Sequence, residues 1–566
     1  MVPLLPAISR SMLLPDGRLA RRFARTVLLV LALVLVALRT AAVPAFDPVG
    51  VGPAARNASP KQLEAVQTEL RSLQKQHAAR LDAFAQDFAD LGLQQESRQC
   101  RELATPPSTE VFRVQKPPKE KQPEIPLSVP EKERDLRVRF REAQSKYAAD
   151  LYRLSRRALA AGYPSYAYGL VQEVVRQDTD HANARRILGY KLRNKEWVTP
   201  FAAEKLDKGF VWDDRFGWLR KQDVARYRAG QRVFLGHWMS ADKEATIRRD
   251  FRHAWQVRTD HYLVHTDVSL ERGVEIAKSL EQFHDFFMQT FAAFFTTPEQ
   301  MAKLFQTSGP NSNLQIRRDP YDVDYFRTRQ EYCDRLRSKI PQIDITNGLY
   351  FTGDRVAYFF VNPDPHEQDT LFHEATHQLF YENLRNDRMV AMDANFWIVE
   401  GIACYMESYR AENGQYSVGD PHHIRIQNAR DRCVVDHYYV PLEKFAAMGM
   451  KEFQQSREIR KNYSQAAGLA HFFVQYDGGR YRDALIEHLA EIYHTTGRQR
   501  AIVKGLDELT GVPYSDLDRQ YVEYMRALPA GGKQASAPSA INPPAPPAPG
   551  NQAAAGHAIN QADAGR

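Results

Sequence analysis

The chain has little cysteine: Cys100, Cys333, Cys404 and Cys433 are the only four in 566 residues. So few thiols, so far apart, exclude a dense disulfide framework, a zinc knuckle and a paired redox motif. One bridge remains compatible with them, and the spacing does not choose its partners. Net charge is also scarce. The formal charge is +7, but residues 1–45 hold six arginines and a single acid, Asp16, which leaves only +2 on the remainder. A nucleic-acid partner is therefore not expected. The apolar run Val27 to Leu38 is short as well. A bilayer span needs about 20 residues, and this run falls well below that. It follows arginines up to Arg25 and precedes Arg39-Thr40-Ala41-Ala42-Val43-Pro44-Ala45. That order predicts a secretory signal over 1–45, cut after Ala42 or Ala45, with a retained membrane anchor as the alternative. Arg21-Arg22 runs straight into Phe23, which is not a twin-arginine context. The expected location is the periplasm or the exterior.

What is present is a globular composition, 43% hydrophobic and 11% aromatic, in a chain long enough for two to four units. Residues 46–104 form a helical region: Leu63, Val66, Leu70, Leu73, Leu81, Phe84, Phe88 and Leu91 recur at helical spacing, as in a long amphipathic hairpin. Residues 105–132 are rich in proline and mixed charge and read as an extended linker. Residues 133–249 read as an all-helical module and connector. One helical hairpin of tetratricopeptide character is visible there, with a protein partner as an option and Trp197, Trp212 and Trp218 as buried anchors. From about 250 the texture becomes mixed. A strand is expected at Trp255–Val264 and a helix opened by Ser269 and Glu271. A short strand follows at Leu314–Ile316 and a helix at Tyr325–Leu336. A hairpin then pairs Gly348–Phe351 with Val356–Val361 through Thr352-Gly353-Asp354-Arg355. Helices continue to 528, and 529–566 read as a disordered Ala/Pro-rich tail. The fold class is α+β, preceded by all-α hairpin or repeat-like modules.

The chemistry concentrates in Leu371-Phe372-His373-Glu374-Ala375-Thr376-His377-Gln378-Leu379-Phe380. On a helix His373 and His377 share one face and can point at one metal ion, with Glu374 beside it as a base for water. A catalytic zinc needs three protein ligands and an open position. Glu400, in Trp397-Ile398-Val399-Glu400-Gly401-Ile402-Ala403-Cys404-Tyr405, is the third candidate. Small Gly401 and Ala403 are expected to let its helix approach the first one. Cys404 reads as a core residue, and His261, His265 and His471 as structural.

The pairing of His373-Glu374-x-x-His377 with Trp397-x-x-Glu400-Gly401-x-Ala403-x-Tyr405 resembles the gluzincin metallopeptidases. The second segment is similar to the signature of M1-type aminopeptidases. Within that clan the chain most resembles an uncharacterised domain-of-unknown-function family of predicted secreted bacterial metallopeptidases, over about 250–528. The resemblance implies a zincin-like domain, with a small mixed sheet, an active-site helix and a helical C-terminal part, holding one Zn²⁺. It also implies an oxyanion-stabilising tyrosine, for which Tyr463, in Tyr463-Ser464-Gln465-Ala466-Ala467-Gly468, is the counterpart. Two features depart from M1 enzymes. The interval from His377 to Glu400 is longer. The strand Asn347-Gly348-Leu349-Tyr350-Phe351 also has no glutamate where M1 enzymes hold the substrate's amine. The expectation is an exported zinc peptidase that cuts within chains, with Tyr350 and Phe351 on the substrate strand. The alternatives are a catalytically silent scaffold using the helical modules, and a zinc amidase acting on a cell-wall component.

Overall fold

The computed structural model describes residues 59–104, 112–115, 117–296, 298–306, 319–363, 367–383, 390–412, 414–494 and 503–530. The signal segment, most of the Ala/Pro-rich tail and the strand expected at 314–316 lie outside these residues. Among the described residues no helix is long and apolar enough to cross a membrane.

The N-terminal part is built from paired helices. Helix α1 (Pro60–Asp90) starts where the Ser59 hydroxyl accepts from the Gln62 N–H and Pro60 occupies a position whose missing N–H costs nothing. All the periodic positions from Leu63 to Phe88 fall on this one helix, and the chain folds back through Gly92 (φ 78°) into a short α2 (Gln94–Ala104). Strand β1 (Phe112–Gln115) follows. Next come α3 (Glu131–Ala160) and α4 (Pro164–Gln177), which bury Leu151, Leu154 and Ala158 with Ala167, Val171 and Val174. Val66 of α1 enters the same cluster.

The connector half of the 133–249 module is built largely of short strands. It contains three antiparallel hairpins: β2 (Lys191–Arg193) with β3 (Glu196–Val198), β4 (Phe210–Asp213) with β5 (Gly217–Arg220), and β6 (Gln231–Phe234) with β7 (His237–Ser240). Each leads directly or through a short turn into a brief helix, Pro200–Asp207, Val224–Arg228 and Ala241–Arg248. Trp197, Trp218 and Trp238 hold corresponding positions in the second strands, 21 and 20 residues apart. Strands of three or four residues are too short for alternation to register, so the repeated tryptophan is the signal that marks them. Arginines stack on the aromatic rings between units: Arg226 lies over Trp238 at 4.2 Å and Arg232 over Phe216 at 4.5 Å.

The mixed domain is organised on a five-stranded sheet in the order β11-β12-β10-β9-β8. Its strands are β8 (Trp255–Arg258), β9 (Tyr262–Thr266), β10 (Tyr321–Phe326), β11 (Gly348–Phe351) and β12 (Val356–Phe360). Strands β9, β10 and β12 run parallel, while β8 and β11 are antiparallel edges. Residues Tyr325 and Phe326, expected to begin a helix, end β10 instead. Tyr321, Val323 and Tyr325 alternate with Asp322 and Asp324 at the period of a strand, and the helix begins at Arg329 under a Thr328–Glu331 capping box. Ser269 caps helix α5 (Leu270–Thr290) by accepting from Arg272 N–H at 3.0 Å, as its sequence signals.

The chain leaves β12 for helix α6 (Glu367–Glu382), which carries the His-Glu-x-x-His motif. Alternate strand residues serve two cores. Tyr350, Ala357, Phe359 and Val323 face α5 and α6 in the main core, whereas Leu349, Phe351, Tyr358 and Phe360 join Tyr332 and Leu336 on the other face. Gly348 lets β11 press against α6, since a Cβ there would lie 2.7 Å from the Thr370 methyl. Helix α7 (Phe396–Met406) follows, then strands β13 (Arg410–Glu412) and β14 (Gln415–Val418), helix α8 (Ile424–Val434) and the long α9 (Ile459–Gly479), kinked at 476–478. Part of the expected linker is structured: β1 pairs antiparallel with β14, from Phe112↔Val418 to Gln115↔Gln415. An unpaired edge of the β13–β14 hairpin recruits the extended chain.

Candidate metal centre

The motif helix is buried along nearly its whole length. His373, Glu374 and His377 are each 1% exposed and Glu400 is 2% exposed. Four polar groups in an apolar core are costly unless something answers their charge. The i, i+4 spacing brings His373 Nε2 and His377 Nε2 to 3.1 Å. Helix α7 delivers Glu400 so that its Oε2 lies 3.7 Å from both nitrogens. These donor atoms could hold a metal ion. Glu400 Oε2 has no hydrogen-bond partner among the described residues.

The electrostatics point the same way. Burial pushes Glu400 up to about 8 despite His373, and pushes Glu374 up to about 7 against the opposing pull of His373 and the Tyr350 N–H. His373 is displaced the other way, its proton held well above the ordinary imidazole value by Cys404, Glu407 and Glu374 although burial opposes this. Two acids that resist ionising and an imidazole that resists losing its proton all register the same lack of positive charge. A dication among His373, His377 and Glu400 would supply it, and two imidazoles with a carboxylate are donors suited to zinc.

A second donor set shares His373 and includes Cys404 and Glu407. It already has its cation. Arg425, at the start of α8, binds Glu407 at 2.7 Å through Nε and 3.0 Å through Nη2, and Glu407 in turn sits 3.0 Å from His373 Nδ1. Against burial, Arg425 and His373 hold the Glu407 carboxyl below its usual value. The chain Arg425–Glu407–His373 therefore fixes the imidazole and aims Nε2 at Glu400. Sequence reading missed both residues. Glu407 was findable, since it lies seven residues after Glu400 and so on the same helical face. Arg425 carries no such signal. Cys404, read as a core residue, is buried beside His373. All four cysteines are buried and unbridged.

The base candidate is also held. Glu374 Oε2 accepts the Tyr350 N–H at 2.7 Å, a bond from the edge strand to the motif helix. Tyr350 thus reaches the site through its backbone. Phe351 does not reach it: its side chain lies in the core on the far face of the sheet, as strand alternation requires. Tyr463, on α9, is buried, and after burial the Glu400 carboxylate acts most strongly on its phenol, which stays protonated well above its usual value. Gly401 packs differently from the expectation. A Cβ there would stand 2.5 Å from the Ala466 carbonyl oxygen, so the small residue admits α9 rather than the motif helix. Residue 401 lies about 100° around the helix from Glu400, which turns it toward another neighbour. Of the other histidines, His471 is buried and bonded on both nitrogens, to Gly419 O at 3.1 Å and Tyr524 Oη at 2.9 Å. His265 pairs with Asp324 at 3.2 Å.

Residues 367–496 match a family model described as a protein of unknown function, DUF1570. The matched segment runs from the first residue of α6 past Tyr463, so it contains the whole buried group, and it leaves β11 outside. No curated protein matches the chain.

Proposed function

We propose that the protein is an exported zinc-dependent peptidase of gluzincin type that cuts within peptide chains. The observation that carries this reading is the placement of the buried Glu374 immediately beside two imidazoles and a carboxylate whose donor atoms could hold one metal ion. A purely structural metal site has no use for a buried base of this kind.

Zinc held by His373, His377 and Glu400 would supply a Lewis acid that acidifies water and polarises a peptide carbonyl. Glu374 removes a proton from the attacking water and delivers it to the amine as the C–N bond breaks. Buried beside the donor atoms, this carboxylate is placed to accept that proton and return it. The Tyr350 N–H fixes Oε2 and leaves the second oxygen for the water. Tyr463 donates its phenol to the oxyanion. Glu407 and Arg425 act through His373 as positioning residues. Strand β11 is the sheet edge beside the motif helix, where an extended substrate can add by backbone pairing. The lack of a glutamate in that strand favours internal bonds over amino-terminal ones.

The test uses the full chain and Glu374→Gln with peptides bearing free and blocked amino termini, measuring bound zinc in both proteins. Equal zinc, with internal cleavage of blocked peptides by the unsubstituted chain alone, is the expected result. Cleavage that survives Glu374→Gln would remove the mechanism, and cleavage confined to free amino termini would remove the endopeptidase assignment. Full zinc with no cleavage by either protein would leave a scaffold.

A further inference from the structure

A second group of metal donors stands apart from the centre just described. Glu281 and His284 lie three residues apart on one face of α5, and His261 enters from the turn between β8 and β9. One donor atom from each falls within 4.8 Å of the others. Glu281 grips that turn twice: Oε2 accepts the His261 backbone N–H at 3.1 Å, and Oε1 contacts His261 Nδ1. His284 is 6% exposed, and its Nδ1 is buried with no hydrogen-bond partner among the described residues. Buried imidazole nitrogens normally find partners. Asp260 adds a further carboxylate that interacts with both His261 and Glu281, and Thr199 hydrogen-bonds to it. Arg258 and Asp285 complete the charged surroundings.

We propose that His261, Glu281 and His284 form a second, structural site for a divalent transition cation of the zinc class, clamping the β8–β9 turn to α5. Two imidazoles and a carboxylate select borderline cations over calcium or magnesium. The two rings are stacked, 3.7 Å between centroids and 18° from parallel. An imidazole binds a metal in its own plane, so ligation turns one ring out of the stack. His261 has the room, its side chain being 36% exposed, and that exposure also gives the ion its entry. The role is structural because nothing in the group corresponds to Glu374. The proposal does not depend on the peptidase reading.

The experiment counts zinc per chain in the full-length protein, in His284→Gln and in Glu281→Gln, with zinc alone as probe. Two equivalents are expected in the unsubstituted protein and one in each variant. Equal zinc in the unsubstituted protein and in both variants, whatever the count, overturns the site. A second readout needs no substitution. Histidine acylation located by mass spectrometry should modify His261 in chelator-treated protein and spare it once the second equivalent of zinc is bound. Equal modification with and without zinc overturns the proposal even if the variants do not fold.

Discussion

Two groups of two histidines and a glutamate stand in this fold, and they differ in what surrounds the donors. Around His373, His377 and Glu400 the side chains are 1–2% exposed, and the nearest cation, Arg425, is already committed to Glu407. Around His261, Glu281 and His284 the carboxylate has its own imidazole partner and one ring reaches solvent. The first group is short of positive charge. The second supplies it internally. The same types of donor therefore stand in two different electrostatic settings, and the neighbouring charges set how each group would respond to a metal.

The largest expected effect separates the groups by chemistry. Glu374→Gln should lower peptide hydrolysis by about 10²- to 10⁴-fold while zinc in both groups stays unchanged, because only the first has a base to lose. Loss of zinc in that variant would show the carboxylate to be a ligand and would collapse the distinction. Next, Tyr463→Phe should cost about 10²-fold in kcat with little change in KM, the behaviour of a donor used at the oxyanion. An unaltered kcat would return Tyr463 to the core packing in which it sits against Phe453.

Smaller effects test the surroundings. Glu407→Gln should weaken zinc at the first group about 10- to 100-fold and leave the second untouched, as read by competition with a chelator of known affinity. Equal weakening of both would mean that the substitution disturbs the fold rather than the His373 imidazole. Gly401→Ala places a methyl 2.5 Å from the Ala466 carbonyl oxygen and should lower unfolding free energy by about 1–3 kcal/mol, measured by chemical denaturation. Stability equal to that of the parent would show that α7 and α9 can separate without cost.

A last test uses a third kind of buried histidine, one with both nitrogens satisfied. Burial pushes His471 down to about 4, below its ordinary 6.5. The unfolded chain binds that proton first as pH falls. The stability gained by keeping the ring neutral is thus present above about 6.5 and lost as pH drops toward 4. His471→Gln should make the fall in unfolding free energy shallower by about 1.4 kcal/mol per pH unit across that window. Identical slopes in the two proteins would mean the ring is accessible to protons in the folded state.

Much of the centre was legible because its parts repeat at helical spacing. His373 and His377 declare a shared face at i, i+4, and the Trp-x-x-Glu-Gly pattern marked Glu400. The hairpins at 191–240 were legible only as tryptophans about 20 residues apart, since each strand is too brief to alternate visibly. Strand β10 is not among the expected strands although its Tyr-Asp-Val-Asp-Tyr alternation is plain, because its last residues read as the start of the following helix. Phe351 was set beside Tyr350 as a substrate contact, yet adjacent strand residues face opposite ways, and only one of the two can face the motif helix.

The sequence by itself determined the α+β class and set His373, Glu374 and His377 on one helix, because these follow from periodicities of two and 3.6 within short segments, while Glu400 was marked by its likeness to a known signature. Tertiary structure decided the rest. The Arg425–Glu407–His373 chain, the Tyr350 N–H on Glu374, the α9 carbonyl against Gly401 and the meeting of His261 with Glu281 and His284 all join residues from different elements. No local period encodes such contacts. They arise only when packing brings separate helices and strands into one core, where a buried charge must find its partner.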